Sequence, residues 1–385
     1  VENWDPALDH HIAEYISRVV AEKREEYGAQ AFPFQVLAIS GGGARGAYGA
    51  GLLTGWTAAG TRPEFDVVTG ISTGALMATS AFLGSEEDEF LEIHTQTVNE
   101  DIYERRGRLR GVLSDALYDT APLRARLAQS IDEEVLAAVA REDERGRRLY
   151  IGTTNLDANV FTIWDMGAIA ASERPERLER YRDVVLASAS MPGLFPPVYI
   201  PVDVGGRRYF QMHADGGVRR TIFVYDLVDN ADEALAVHGL ERKDFEFHIY
   251  VLHNGRLYAR TQNKPVRGRS LEIAGAAIAG LLRQNRLTSL YRLWVAALVE
   301  GASFHLAHIP DDMELSDNPV NFDQAEMRRL FDLGYQQALN GDAWQTQPPV
   351  TDPAEMMFLV NPRHTLDELE ARPWLRRWAD TKIGQ

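Results

Sequence analysis

Twice within residues 34–83 a strand-like run meets a glycine-rich turn and leaves it as an apolar, alanine-rich helix. Phe34 to Ser40 runs into Gly41-Gly42-Gly43-Ala44-Arg45-Gly46 and continues as Ala47 to Ala59. Phe65 to Thr69 runs into Gly70-Ile71-Ser72-Thr73-Gly74 and continues as Ala75 to Leu83. Parallel strands need crossover connections, usually helical, so this repetition predicts an α/β fold: a mostly parallel central sheet sandwiched by helices. Turns at the carboxyl ends of neighbouring strands then face one crevice.

The second turn has the G-x-S-x-G spacing of a nucleophile elbow. Glycines beside Ser72 let the chain reverse sharply and lift the hydroxyl above the sheet edge. The helix that follows aims its free N–H groups and positive end at any developing anion. The first turn offers what such a serine needs: three consecutive glycines leave backbone amides open to a substrate, and Arg45 adds a positive charge. Removing one oxyanion donor typically costs about 2.7–4 kcal/mol of catalysis.

A rival reading exists for the first turn. Gly41-x-Gly43-x-x-Gly46 also fits a dinucleotide-binding fingerprint, which wants an acidic residue at the end of the second strand. Glu64 and Asp66 stand where that strand begins, whereas its end carries Thr69, Gly70 and the serine turn. The acid is at the wrong end.

Composition narrows the classes further. The chain has 385 residues, 45% of them hydrophobic, enough for a substantial core without cross-links. It has no cysteine, which removes disulfides, thiolate metal sites and a cysteine nucleophile. A net charge of −16 argues against nucleic acid and against electrostatic docking on anionic lipid. The longest apolar run, Ile273 to Leu282, falls well short of a membrane span, and no signal-peptide pattern is readable. The chain opens on Val1 rather than methionine, so cytoplasmic and exported or cell-envelope locations both stay open.

Three regions are expected: an amphipathic N-terminal helix in 1–30 packed on the domain, a catalytic domain over 31–345, and a tail over 346–385 wrapped on it. Ile12, Tyr15, Ile16, Val19 and Val20 share one face of the first helix. Leu149 to Asn155 reads as a third core strand, continued by Phe161 to Trp164 after a turn. Ala187 to Val198 is rich in small residues and stiffened by prolines, as a pocket wall would be, and Leu194 and Phe195 are expected to meet a lipid interface. A Gly205-Gly206 hairpin leads to Asp215-Gly216-Gly217, a turn on which a carboxylate can approach another loop.

Taken together, the glycine–arginine turn, the serine turn and the proline-rich stretch ending in Asp-Gly-Gly resemble the patatin-like phospholipases, in that family's order and over Val36 to Val218. The helix from Met327 to Ala338 is similar to the family's closing helix. The resemblance implies a three-layer α/β/α fold and a serine lipid acyl hydrolase of phospholipase A or lysophospholipase type. It implies a Ser-Asp dyad, with Ser72 as nucleophile and Asp215 as base. Gly42, Gly43 and Arg45 would shape the oxyanion hole, with Gly41, Gly46, Gly70, Gly74, Gly216 and Gly217 as motif glycines. Neither a cofactor nor a metal is expected. The implied partner is a lipid or lysolipid acyl ester, with transient contact at a membrane or micelle interface, no nucleic acid, and the oligomeric state open. Two alternatives remain: a Ser-His-Asp esterase of α/β-hydrolase type, for which His213, His253 and His305 are the candidates, and a non-catalytic lipid-binding protein on the same fold.

Overall fold

The computed structural model describes residues 23, 25, 27–28, 31–92, 95–106, 115–224, 244–257, 270–299, 301–316 and 318–347. By internal contacts the chain divides into one unit of 1–257 with 284–348 and another of 258–283 with 349–385. Of the second unit the described part is the first half of the helix Ser270–Val299. The site lies wholly in the first unit.

The two strand–turn–helix repeats form as expected. β1 (Phe32–Ile39) leads through the first glycine turn into α1 (Gly46–Ala58). β2 (Val67–Gly70) leads through the serine turn into α2 (Thr73–Leu83). Nearly every residue of β1, β2 and α1 is buried, which is why they read as continuous apolar runs rather than alternating ones. α3 (Ala121–Ser130) and α4 (Glu133–Glu144) follow, the latter capped by Asp132 accepting from the N–H groups of Glu134 and Val135. Then come β3 (Arg148–Asn155), β4 (Val160–Asp165), α5 (Arg177–Ser188), β5 (Val198–Val204) and β6 (Arg207–Asp215). β7 (Phe245–His253), the long helix α6 (Ser270–Val299), β8 (Ser303–His308) and α7 (Gln324–Asn340) complete the described elements used below.

Among the described residues the main sheet has eight strands in the order β8-β7-β1-β2-β3-β6-β5, with β4 joined to β3. From β8 to β3 every pairing is parallel. This is a mostly parallel α/β sheet flanked by helices. The antiparallel additions sit at the β3 side and decide where the site forms. β3 gives one edge to β4, pairing Tyr150 with Asp165 through Asn155 with Val160. Its other edge pairs first with β2, up to Gly70 opposite Ile151, and then with β6, where Asp215 faces Thr153 and His213 faces Asn155. β6 therefore continues in the lane that β2 vacates. The last residue of β6 arrives two positions beyond the place where β2 ends, just where the serine turn leaves the sheet.

α7 closes over α1. A side chain at Gly51 would meet the Phe331 carbonyl, and one at Gly334 would meet the Tyr48 carbonyl, so the two backbones are in contact. Arg147 ties the ends of this region, its guanidinium donating to the carbonyls of Phe65 and Phe82 and pairing with Glu142 and Glu64. Of the expected N-terminal helix, Lys23, Glu25 and Tyr27 are helical, and Lys23 Nζ pairs with Asp66 at 2.9 Å. The face built on Ile12 to Val20 and the expected tail from 348 onward lie outside the described residues. No described helix is long and apolar enough to cross a membrane.

Candidate active site

Ser72 is the residue at which the second turn reverses. Its φ of 56° and ψ of −126° put it in the left-handed half of the map, shared among described non-glycine residues only with Asn159. Such a backbone costs on the order of 1–3 kcal/mol and persists only when its neighbours hold it. Here the Ser72 N–H donates to Ser188 Oγ at 3.0 Å, and that hydroxyl donates onward to the Gly152 carbonyl at 2.7 Å. Ile71 N–H donates to the Ile39 carbonyl at 3.2 Å, and Thr73 Oγ1 donates to the Gly43 carbonyl at 3.1 Å, joining the two turns. The motif glycines follow from crowding. A Cβ on Gly41 would lie 2.7 Å from Ser72 Cβ, one on Gly70 would lie 2.7 Å from the Gly74 carbonyl oxygen, and one on Gly74 would meet the Ile39 carbonyl.

Asp215 ends β6 with 4% of its surface exposed. Its carboxylate accepts the Gly217 N–H at 2.7 Å, and the Ser72 side chain stands close enough to favour its ionised form. Its backbone is fixed on both sides, with its N–H donating to the Ser190 carbonyl and its own carbonyl accepting from Thr154 Oγ1, each at 2.9 Å. Gly216 presses on β3, where a Cβ would sit 2.5 Å from the Gly152 carbonyl oxygen. Burial pushes the Asp215 carboxyl up to about 6, and the neighbouring Ser72 side chain and the Gly217 N–H only partly offset it. The group is poised to be ionised at neutral pH and to accept a proton readily.

In the first turn, Ala44 N–H donates to the Pro319 carbonyl at 2.8 Å and Arg45 N–H to the Gly42 carbonyl at 3.2 Å. Among the described residues the N–H groups of Gly42 and Gly43 have no acceptor. Gly43 has φ of 60°, and a Cβ there would strike the Pro319 carbonyl. A Cβ on Gly42 would strike Asn254, which is itself clamped by Ser40 through two bonds of 2.9 Å and accepts the Gly49 N–H. The Arg45 side chain donates to the Ser316 carbonyl at 2.9 Å, so it fastens the 313–322 segment to the turn. Gly46 starts α1, fully packed.

The histidines are occupied elsewhere. His213 Nδ1 bonds Thr153 Oγ1 at 3.0 Å, and burial lowers its pKa to about 4. His253 Nδ1 bonds Ser40 Oγ at 3.0 Å, with burial holding it neutral. His305 stacks against Tyr250 and His248. None of the described histidines bonds Ser72 or Asp215. Asp66, the acid required by the dinucleotide reading, is buried and bound by Lys23 and by the Gln35 N–H. Phe195, expected at a lipid interface, is instead buried against Tyr103 and Tyr118. Three nearby aromatic rings gain more from each other than from water. Sequence reasoning missed Ser188, Asn254 and Pro319; Ser188 lay within the flagged small-residue stretch, while the other two carried no signal.

A cavity of about 110 Å³ begins at Gly43, Ala44 and Thr73 and extends along α2 between α3 and α4. Its walls are mainly apolar: Leu76, Leu83, Leu123, Leu127, Ile131 and Met327. It borders Thr73, next to Ser72, rather than the hydroxyl itself. Among the described residues no three His, Cys, Asp or Glu side chains are grouped to hold a metal ion.

The fold and the turns define a class: an α/β protein whose carboxyl-edge crevice joins an elbow serine, a buried carboxylate and a glycine turn. Residues 37–228, about half of the chain, match the family model of the patatin-like phospholipases and belong to that family. It is a family of lipid acyl hydrolases, with lipid esters as substrates. No curated protein sequence matches the chain. Among solved structures, VipD from Legionella pneumophila aligns over 81% of this chain and 67% of its own, at 14% identity and a TM-score of 0.33.

Proposed function

We propose that the protein is a serine lipid acyl hydrolase of phospholipase A or lysophospholipase type, working through Ser72 and Asp215 without a histidine. The observation that carries this reading is the convergence of the elbow serine and a buried carboxylate, where β6 takes over the edge of β3 from β2 and burial raises the Asp215 carboxyl to about 6. Ionised Asp215 takes the hydroxyl proton as Oγ attacks the ester carbonyl carbon. The carbonyl oxygen becomes an oxyanion and receives the open N–H groups of Gly42 and Gly43. The intermediate collapses, the ester C–O bond breaks, and the departing alkoxide recovers the proton from Asp215. Water then gives a proton to Asp215 as its oxygen attacks the acyl carbon; the acyl C–Oγ bond breaks, Ser72 Oγ recovers the proton from Asp215, and the fatty acid leaves.

The apolar cavity beside the turns favours a hydrocarbon acyl chain over a polar one. A Ser-His-Asp mechanism has no supporting observation, since His213, His253 and His305 are each engaged away from Asp215. A fluorophosphonate probe tests the reading directly. It should label the wild-type chain at Ser72, leave Ser72→Ala unlabelled, and block fatty-acid release from phosphatidylcholine or its lyso form. Labelling at another serine, or full hydrolysis by Ser72→Ala, defeats it, and an unreactive Ser72 points to the lipid-binding alternative.

A further inference from the structure

Behind the first glycine turn, β1 and β7 end on three buried polar residues that the proposed reaction leaves unused. Ser40, His253 and Asn254 are each 2% exposed or less, a costly place for polar groups unless they are bonded. The Ser40 hydroxyl lies at their centre. Its oxygen is 3.0 Å from the Gly41 carbonyl oxygen and 3.0 Å from His253 Nδ1, and it accepts the Asn254 N–H at 2.9 Å. A hydroxyl gives one hydrogen bond and receives two. With the ring proton on Nδ1 the count closes: Ser40 receives from Asn254 and His253 and donates to Gly41. The other tautomer takes the Ser40 proton for Nδ1 and leaves the Gly41 carbonyl without that donor.

The surroundings of the ring select between the two. His253 Nε2 is buried with no hydrogen-bond partner among the described residues. A Cβ on Gly255 would lie 3.1 Å from Nε2 and 3.5 Å from Arg286 Nη1, so the ring and the guanidinium approach the same point. Facing that cation, a lone pair on Nε2 is favoured over an N–H. The Arg256 carbonyl favours a proton on the ring, but it already accepts Arg286 Nη1 at 3.0 Å. The bond to Gly41 matters because that carbonyl and the open Gly42 N–H belong to one planar peptide and point opposite ways. A donor on the oxygen fixes the direction of the N–H and polarises it. The next peptide is held alike, the Gly42 carbonyl accepting the Arg45 N–H behind the open Gly43 N–H. We infer that Ser40 is a positioning residue for the oxyanion hole, its hydroxyl held on the Gly41 carbonyl by His253 Nδ1–H so that the Gly42 N–H meets the substrate's carbonyl oxygen. This rests on the acyl-hydrolase reading for the oxyanion that it serves.

Two measurements on the full chain test it. In wild-type protein carrying isotope-labelled histidine, NMR reads the His253 tautomer, and the proton should sit on Nδ1; an Nε2–H ring overturns the inference whatever any variant does. The second compares Ser40→Ala, which removes the donor, with Ser40→Thr, which keeps it. Each is assayed for short-chain ester kinetics, for affinity toward a short-chain trifluoromethyl ketone, and for active sites titrated by fluorophosphonate. Per titrated site, Ser40→Ala should lose about tenfold in kcat with KM within about twofold. It should also bind the ketone about tenfold more weakly, because the hemiketal oxyanion draws on the same N–H. Ser40→Thr should keep both within about threefold. Counting only reactive sites sets misfolded protein aside, so a merely structural Ser40 would leave kcat and ketone affinity unchanged. That result overturns the inference, as does a Ser40→Thr that falls as far as Ser40→Ala. If Ser40→Ala yields no titratable sites, the tautomer decides. A wild-type Ser72 that resists phosphonate fails the catalytic reading and this inference with it, whereas a reactive wild type beside an unimpaired Ser40→Ala fails this inference alone.

Discussion

The two glycine turns share a grammar and divide the labour. Each joins a buried strand to a buried helix, and each needs its glycines because backbone approaches backbone. The Gly41–Gly46 turn is fastened from outside, by the Pro319 carbonyl, by Asn254 and by Arg45 reaching Ser316, and it leaves two amides open. The Gly70–Gly74 turn is fastened from inside, through Ser188 and β3, and holds one side chain in a strained backbone. On the proposed reading, one turn receives charge and the other delivers a nucleophile. The open amides need no strain, since glycine tolerates the conformation; the serine has no such freedom, so its neighbours must supply the constraint.

Substitutions that strike one turn or its partner sharpen this division. Asp215→Asn leaves the shape of the serine turn but removes its base, and ester hydrolysis should fall by about 10⁴-fold with fatty-acid release as the readout. In the wild type, kcat/KM should rise about tenfold per pH unit below the carboxyl pKa of about 6 and level off above it. A flat profile through that range breaks the assignment of the base. Gly43→Ala strikes the other turn, pushing a methyl at the Pro319 carbonyl from a left-handed backbone. Catalysis should drop about 10²–10³-fold, chiefly in kcat, while phosphonate still labels Ser72 slowly. Equal activity would mean the Gly43 amide takes no part.

Stability separates the turns again. Asp215 is protonated in both folded and unfolded chains below its ordinary value of 3.8, so its burial carries no ionisation penalty there. The penalty grows as pH rises through the interval from 3.8 to about 6 and is constant above it. Asp215→Asn should therefore unfold at higher denaturant than wild type at neutral pH, by on the order of 3 kcal/mol, with the gap closing in acid. Gly43→Ala should lose stability at every pH. The smallest effect is on selectivity: Leu127→Trp narrows the cavity beside α2 and should shift the preference from long to short acyl esters about tenfold, leaving short-ester turnover intact.

Much of this was legible because it is local. Strand, turn and helix follow one another in sequence, so the apolar runs and glycines around Ser72 announce their own geometry. The strand from Leu149 and the turn before Phe161 were readable for the same reason. The sheet order was not, because nothing in Phe245 to His253 says that it pairs with β1 along all eight of that strand's residues. Asp215 was found through resemblance rather than periodicity, since its position depends on β3 lending one edge to two different strands. Phe195 misled for a related reason: a hydrophobic side chain in a proline-rich loop looks exposed until Tyr103 and Tyr118, from distant segments, close around it.

The carbonyl of Pro319 has a consequence for how the chain can be divided. It receives the Ala44 N–H and stands against Gly43 from a segment that also bonds Tyr103 and Asn99 and leads into α7. The stretch 37–228 that carries the family match ends before that segment, before the strand alongside β1 and before the helix covering α1. Excised at those limits, it would keep every motif letter and lose the props that give two of them their shape. The working unit is spatial, and its boundary cannot be drawn with two cuts around the motifs.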